Sequence, residues 1–173
     1  MARPVIETVV EKVVERDLGY NAIKAQLLLM KDSKVEVGLP ADGQTSGRYA
    51  MSLLITAADD NEFGKTVPER SFMRSAVDEN RLAINEIIES SITNISGGFA
   101  TVHSTLNHIG LQVQKMIQRK ILTGPYTPLH PSTIARKGHA LPLVETGQLI
   151  SSMQYKIRIK ASARTVSRIA ELV

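Results

Sequence analysis

Four histidines and one short acidic run are the residues of this 173-residue chain whose types could carry site chemistry. His103 and His108 stand five positions apart in a stretch of helical periodicity. On a helix that separation turns the two rings about 140° apart, so they do not share a metal-binding face. His130 and His139 flank a basic loop without nearby carboxylates, and ordinary surface or loop histidines are expected. Asp59-Asp60-Asn61-Glu62 resembles a cation cluster but lacks the glycine and the later glutamate of a calcium loop. It reads either as a solvated turn or as an acidic patch facing a partner. Cysteine is absent, which excludes disulfides, thiolate catalysis and Cys-based zinc sites. Gly97-Gly98 stands alone rather than in a dinucleotide or phosphate-loop pattern, and no nucleophile sits in a recognisable elbow. The expectation is a non-enzymatic protein with no cofactor and no metal.

One basic constellation remains. Lys156, Arg158 and Lys160 alternate with Tyr155, Ile157 and Ile159, which puts three cations on one face of a strand. Like charges in a row repel, so this face meets water or an anionic partner rather than a core. It belongs to a charge asymmetry hidden by the net charge of +4. Residues 1–90 carry 11 Lys and Arg against 15 Asp and Glu, a balance of −4, while residues 91–173 carry 10 against 2, a balance of +8. Such a dipolar chain can stack head to tail or turn its basic half toward nucleic acid. With 4% aromatic residues and no Trp there is no evident stacking platform for bases. Any contact with DNA would be electrostatic and independent of sequence.

The elements that must position these residues follow from periodicity. Pro4–Arg16 reads as an amphipathic helix, with Val5, Val9 and Val13 in one row, Ile6, Val10 and Val14 in the next, and Glu7, Glu11 and Glu15 on another face. Its β-branched residues are weak helix formers, so it is expected to pack on a neighbouring subunit or protein. A second short helix spans Asn21–Met30, and Lys34–Leu39 alternates as a half-buried strand ended by Pro40. A flexible loop over 41–47 leads to a short helix, Tyr49–Asp59, with Leu53, Leu54 and Ala57 inward and Gly64 placed for a left-handed cap. One long helix is expected over Ser71–Ser91, with Ser71 as N-cap and Met73, Val77, Ile84, Ile87 and Ile88 as its inner stripe. After Gly97-Gly98 a second long helix runs from Thr101 to Leu122, with Val102, Leu106, Ile109, Val113, Met116, Ile117 and Ile121 as its stripe. A three-proline loop over 124–131, a helical turn at Ser132–Lys137 closed by Gly138, a short helix at Gln148–Ser151 capped by Thr146, and a strand Met153–Lys160 complete the pattern. The fold class is α+β, a small antiparallel or mixed sheet packed with two long helices, plus an N-terminal helical arm. The chain divides into an arm (1–30), a core domain (31–160) and a C-terminal tail (161–173).

A chain of this length buries roughly 70% of its unfolded surface and needs no metal or disulfide to fold. The shortage of aromatics makes the core aliphatic. The first residues are interrupted by charge at once, so neither a signal peptide nor a membrane span is expected.

Two segments carry a resemblance. Ile55-Thr-Ala-Ala-Asp-Asp-Asn61-Glu-Phe63-Gly64 followed by Val67-Pro68-Glu69-Arg70-Ser-Phe72-Met-Arg74-Ser75 is similar to the NEFG…IPERxFxR stretch of neck or tail-completion proteins, the head–tail joining proteins of long-tailed bacteriophages. Pro128-Leu-His-Pro131-Ser132-Thr133-Ile-Ala-Arg-Lys137-Gly138 followed by Pro142-Leu-Val-Glu-Thr146-Gly147-Gln-Leu149 resembles the same family's PLxPSTIAxKG…PL[IV]DTGxL. Order and spacing agree over about residues 34–160, and Glu145 stands where Asp is usual. The resemblance implies a structural virion protein forming a ring, usually a hexamer, at the head-to-tail junction. Its partners would be a portal-side connector or adaptor, the tail terminator or tail tube, and genomic DNA in the channel, with no membrane. Assembly would take place in the bacterial host cytoplasm. The competing reading is a sequence-independent nucleic-acid-binding module using the basic half; an enzyme is a distant third.

Overall fold

A 22-residue helix, α5 (Val102–Thr123), is the element on which the rest is arranged. The computed structural model describes residues 17–41 and 49–159. In chain order these form α1 (Tyr20–Lys31), β1 (Lys34–Gly38), α2 (Met51–Phe63), α3 (Met73–Glu79), α4 (Arg81–Ser96), α5, α6 (Pro131–Lys137), α7 (Gln148–Ser151) and β2 (Gln154–Arg158). Helix α5 starts well because Thr101 and Ser104 form a reciprocal capping box, satisfying two donors that a helix start leaves free. Its stripe of Val102, Leu106, Ile117 and Ile121 is buried, as the periodicity requires.

Two clusters sit at the two ends of this stripe. Near its N-terminus Ile95, Val102 and Leu106 pack with Leu29 and Met30 of α1 and with Val35 and Ile157 of the sheet. Near its C-terminus Ile117 and Ile121 pack with Ala58, Phe72, Ala76, Leu143 and Met153. The strands pair antiparallel, from Lys34 opposite Arg158 to Gly38 opposite Gln154. Val35 and Val37 face the helices together with Tyr155 and Ile157. These strands lie more than a hundred residues apart, and both pack against α5. Gln114 and Gln118 on α5 donate to the carbonyls of Met153 and Ile150, both at 2.9 Å, and so hold the chain where it turns into β2. The fold is therefore α+β with a small antiparallel sheet.

Three helix expectations are corrected. The long helix over Ser71–Ser91 is two helices, because Asn80 leaves helical geometry and donates its side-chain amide to the Ala76 carbonyl at 2.8 Å. Asparagine competes for backbone groups in this way wherever helix packing does not forbid it. The inner stripe shifts with the break: Ala76, Ser91 and Ile95 are buried, whereas Val77 is 43% exposed. The short helix at Tyr49–Asp59 instead runs from Met51 to Phe63, buries Met51, Leu54, Ala58 and Glu62, and leaves Leu53 59% exposed. The turn at Ser132–Lys137 gains Pro131 as its first residue, a position that a fixed φ suits. Both strands have slightly shorter bounds than the sequence suggests; β2 alternates between part-buried and exposed residues, whereas every residue of β1 after Lys34 is part-buried. The Pro4–Arg16 helix, with Val5, Ile6, Val9, Val10, Val13 and Val14, lies outside the described residues, as do the C-terminal tail and Lys160. The described part of the expected arm, α1, rests on α4 and α5.

Helix α5 meets the sheet at Gly110. A Cβ there would stand 2.5 Å from Cδ2 of Tyr155 and 3.1 Å from Cγ1 of Val35. Glycine costs a helix interior about 1 kcal/mol relative to alanine, and close approach to the sheet is what it permits here. Gly110→Leu is expected to lower stability by about 1–3 kcal/mol through overpacking. In a Tyr155→Ala background the same change should cost less, because the ring it strikes is gone. Urea unfolding of the four proteins measures this coupling, and strict additivity would contradict the crossing.

Candidate functional site

The apolar positions of α2, Met51, Leu54 and Ala58, are followed on the same face by a glutamate. Glu62 is buried, and its carboxylate collects five donors from the segment after the turn. Oε2 accepts from the backbone N–H groups of Phe72 (2.8 Å) and Met73 (2.9 Å). Oε1 accepts from Arg74 N (2.9 Å), Ser71 Oγ (2.9 Å) and Arg74 Nε (3.2 Å). Glu62 thereby caps α3 from another helix, where Ser71 was expected to be the cap; Ser71 instead donates to the carboxylate. Burial by itself raises the pKa of such a carboxyl, but the N–H donors of Met73 and Arg74, the Ser71 hydroxyl and the Phe72 N–H outweigh it and hold the group below the ordinary value.

The rest of this first motif closes the turn around that carboxylate. Gly64 ends α2 with φ of 63°, and a Cβ there would meet Glu69 Cβ at 2.9 Å. Arg70 is buried; its N–H donates to the Asn61 carbonyl at 2.7 Å and its Nη1 to Asn61 Oδ1 at 3.0 Å. Arg74 Nη2 reaches both the Glu62 carbonyl and Glu69, each at 2.8 Å, and its guanidinium lies 4.8 Å from the Phe63 ring centre. Phe72 is fully buried, while Pro68 and Glu69 are on the outside of the turn. The acidic run is thus divided among three tasks: Asp59 pairs with Lys65, Asp60 accepts from Thr66 at 3.0 Å, and Glu62 caps α3.

The second motif is held by similar means. The His130 ring accepts from Ser132 N at 3.3 Å and caps α6, whose first residue is Pro131 and which carries Ser132 and Thr133 in its first turn. Gly138 ends α6 with φ of 78°. Lys137 then directs its ammonium back to the Leu141 and Pro142 carbonyls, at 3.2 Å each. Burial holds its pKa below the ordinary lysine value. Gly147, with φ of 75°, is the N-cap of α7 in place of the expected Thr146, whose hydroxyl accepts from Gln148 N at 3.4 Å. Buried Gln148 exchanges two hydrogen bonds with the backbone of Tyr49, donating to its carbonyl (2.7 Å) and accepting from its N–H (2.9 Å). A side chain here does the work of a strand partner and fixes the start of α2 to the second motif.

The two motifs meet in a groove of about 400 Å³. Leu53, Leu54, Ala57 and Ala58 of α2 form one wall; Leu143 and Leu149 form the other; Asn61, Lys137, Glu145 and Thr146 mark its polar edge. Of the motif residues read from the sequence, the groove takes Lys137, Thr146 and Leu149 directly. Phe63, Gly64, Pro68, Glu69, Arg70, Phe72 and Arg74 build the turn beside it, and Pro131, Ser132, Thr133 and Gly138 build α6 at its other side. The walls are mainly aliphatic, so the groove is suited to binding apolar side chains.

The basic strand face is more compensated than the sequence suggests. Glu36 of β1 stands opposite Lys156, bonds Arg158 Nε at 2.8 Å and pairs with Lys34 at 2.6 Å. These hydrogen bonds from Lys34 and Arg158 lower the Glu36 pKa. The histidines are dispersed: His103 contacts Asn107 at 3.0 Å and His130 caps α6. Among the described residues no group of three His, Asp or Glu side chains could hold a metal ion, and no helix is long and apolar enough to cross a membrane. Sequence reasoning missed Glu62, Gln148 and Glu36. The first had a usable signal, since a carboxylate falls on the apolar face of α2, four residues after Ala58.

Glu62→Gln is expected to lower stability at pH 7 by about 3 kcal/mol, since an amide cannot accept from every donor the carboxylate satisfies. The folded-state pKa lies below the unfolded value of about 4.3, so the carboxylate's contribution is full above that value and declines as pH falls through the folded pKa. Urea unfolding at pH 7 and pH 3 should show the gap between the two proteins narrowing in acid. An equal gap at both pH values would contradict the capping role.

No protein family, curated protein or solved structure matches this chain.

Proposed function

We propose that this protein is a structural virion component of a long-tailed bacteriophage, forming a closed homo-oligomeric ring, a hexamer, at the head-to-tail junction. The observation that carries the reading is the pair of motif segments, NEFG…VPERSFMR and PLHPSTIARKG…PLVETGQL, in the order and spacing of that family. Their residues serve here as caps, turns and buried ties rather than as a catalytic set, and they converge on one apolar groove. An assembly protein needs loop geometry held rigid enough to match a partner, and these devices supply it. In this reading the ring sits between a portal-side connector or adaptor and the tail terminator or tail tube. The genome passes through its channel without base-specific contact, since such contacts would make passage depend on sequence.

Electron microscopy of assembled particles is expected to show six copies closed into a ring at the junction. One copy per particle, or none in the mature virion, would overturn the proposal.

The basic face formed by Lys156 and Arg158 on β2, with Lys160 beyond the described residues, is assigned to the channel or to an acidic neighbour. The triple change of these residues to Ser should leave folding intact while weakening genome retention, ejection or ring closure. Virions that assemble, hold DNA and infect normally at low and moderate salt would reduce the face to solvated surface. A salt-insensitive preference for one DNA sequence would favour the nucleic-acid-binding reading instead.

A further inference from the structure

The groove and the start of the described chain lie at opposite ends of α5. Gln26 of α1 accepts from Val102 N at 2.9 Å, and Ile23 lies against Gly98, so α1 begins beside the N-terminus of α5. The groove lies beside the other end, where Ala58 and Leu143 pack on Ile117 and Ile121. From Val102 to Ile117 a helix rises about 22 Å. Sixteen residues precede the described chain, and their Val/Ile rows are the most apolar face in the sequence without an assigned cover. As a helix leading into Asp17, that segment would put Val13 about 6 Å, Val9 about 12 Å and Val5 about 18 Å from the point where the described chain begins. In that helical form none of the three would span the distance to the groove of its own chain.

Resting on the ring reading, we infer that the groove between α2 and the 142–149 turn receives the Val/Ile face of the N-terminal arm of the neighbouring copy. Donor and acceptor at opposite ends of one molecule make a heterologous interface, the kind that closes into a ring when its rotation divides a full turn. The chemistry of the two surfaces agrees. Leu53, more than half exposed, and Ala57 offer aliphatic wall to a valine row, and the groove holds a few aliphatic side chains rather than a whole helix. At its edge Lys137 has only backbone carbonyls for acceptors, with Arg70 and Arg136 close enough to disfavour its charge. Glu145 on the same edge partly offsets them, and the Glu7, Glu11 and Glu15 row of the arm would add further carboxylates beside Lys137. The arm is preferred over the C-terminal tail because it offers two adjacent rows of three Val/Ile residues, where the tail offers Val166, Ile169, Leu172 and Val173.

The chain has no cysteine, so introduced thiols are the only ones present. Val9→Cys and Ala57→Cys, made in separate proteins, mixed and mildly oxidised, are expected to form a disulfide-linked heterodimer. The double variant should give a ladder that ends at the closed ring. A double variant that links only within one chain would place the arm on its own groove and overturn the inference. So would Ile169→Cys linking to Ala57→Cys in place of Val9→Cys, which gives the groove to the tail. Self-linking of Ala57→Cys alone would mean groove packed against groove. A ring by native mass with no link from Val9→Cys removes only the arm placement, whereas a monomer in solution and in particles removes the ring reading as well.

Discussion

The organisation of this protein depends on one buried carboxylate. Glu62 sits on the apolar face of α2, and its removal from water would be costly if its oxygens were left unpaired. They are satisfied instead by the first N–H groups of α3, which a helix start leaves without intrahelical partners. Two liabilities, a buried charge and an uncapped helix, cancel each other. The same contact sets how α2 and α3 are joined. That in turn seats Phe72 and Ala76 in the core and leaves the adjoining flank of α2, with Leu53 and Ala57, as part of a groove wall.

The second constraint is the approach of α5 to the sheet. Two five-residue strands have little stability by themselves. Here Gly110 allows the helix close against Tyr155 and Val35, while Gln114 and Gln118 take up carbonyls of the chain leading into β2. Polar side chains on a mostly apolar helix face thus fix the position of a distant segment that hydrophobic packing would leave free to slide. Gln148 does the same for Tyr49. In a core nearly without aromatics, directional bonds of this kind supply the specificity that shape-selective rings often supply.

Charge follows the same pattern of local compensation. The +8 balance of residues 91–173 remains in the composition, but on the sheet Glu36 from the acidic half is placed among Lys34, Lys156 and Arg158. The face is therefore mixed in charge, with a positive excess. The groove is more apolar than the hollow on the strand face, and it lies between the two segments whose order carries the family resemblance.

The sequence by itself determined the local elements with strong periodicity or unambiguous punctuation. Helix α5 was legible from its apolar stripe, both strands from their alternation, and the ends of α2 and α6 from Gly64 and Gly138. These depend on neighbours three or four residues away along a helix, or two along a strand. The tertiary structure decided what depends on partners far along the chain. Asn80 splits one expected helix into two, a choice between backbone and side-chain bonding that periodicity does not register. Glu36 compensates a strand reached some 120 residues later, and Gln148 binds a backbone 99 residues away. The motif segments stood out as text, but that they line one groove followed only from folding α2 against the 142–149 turn, because a surface made from two distant segments has no periodicity in either.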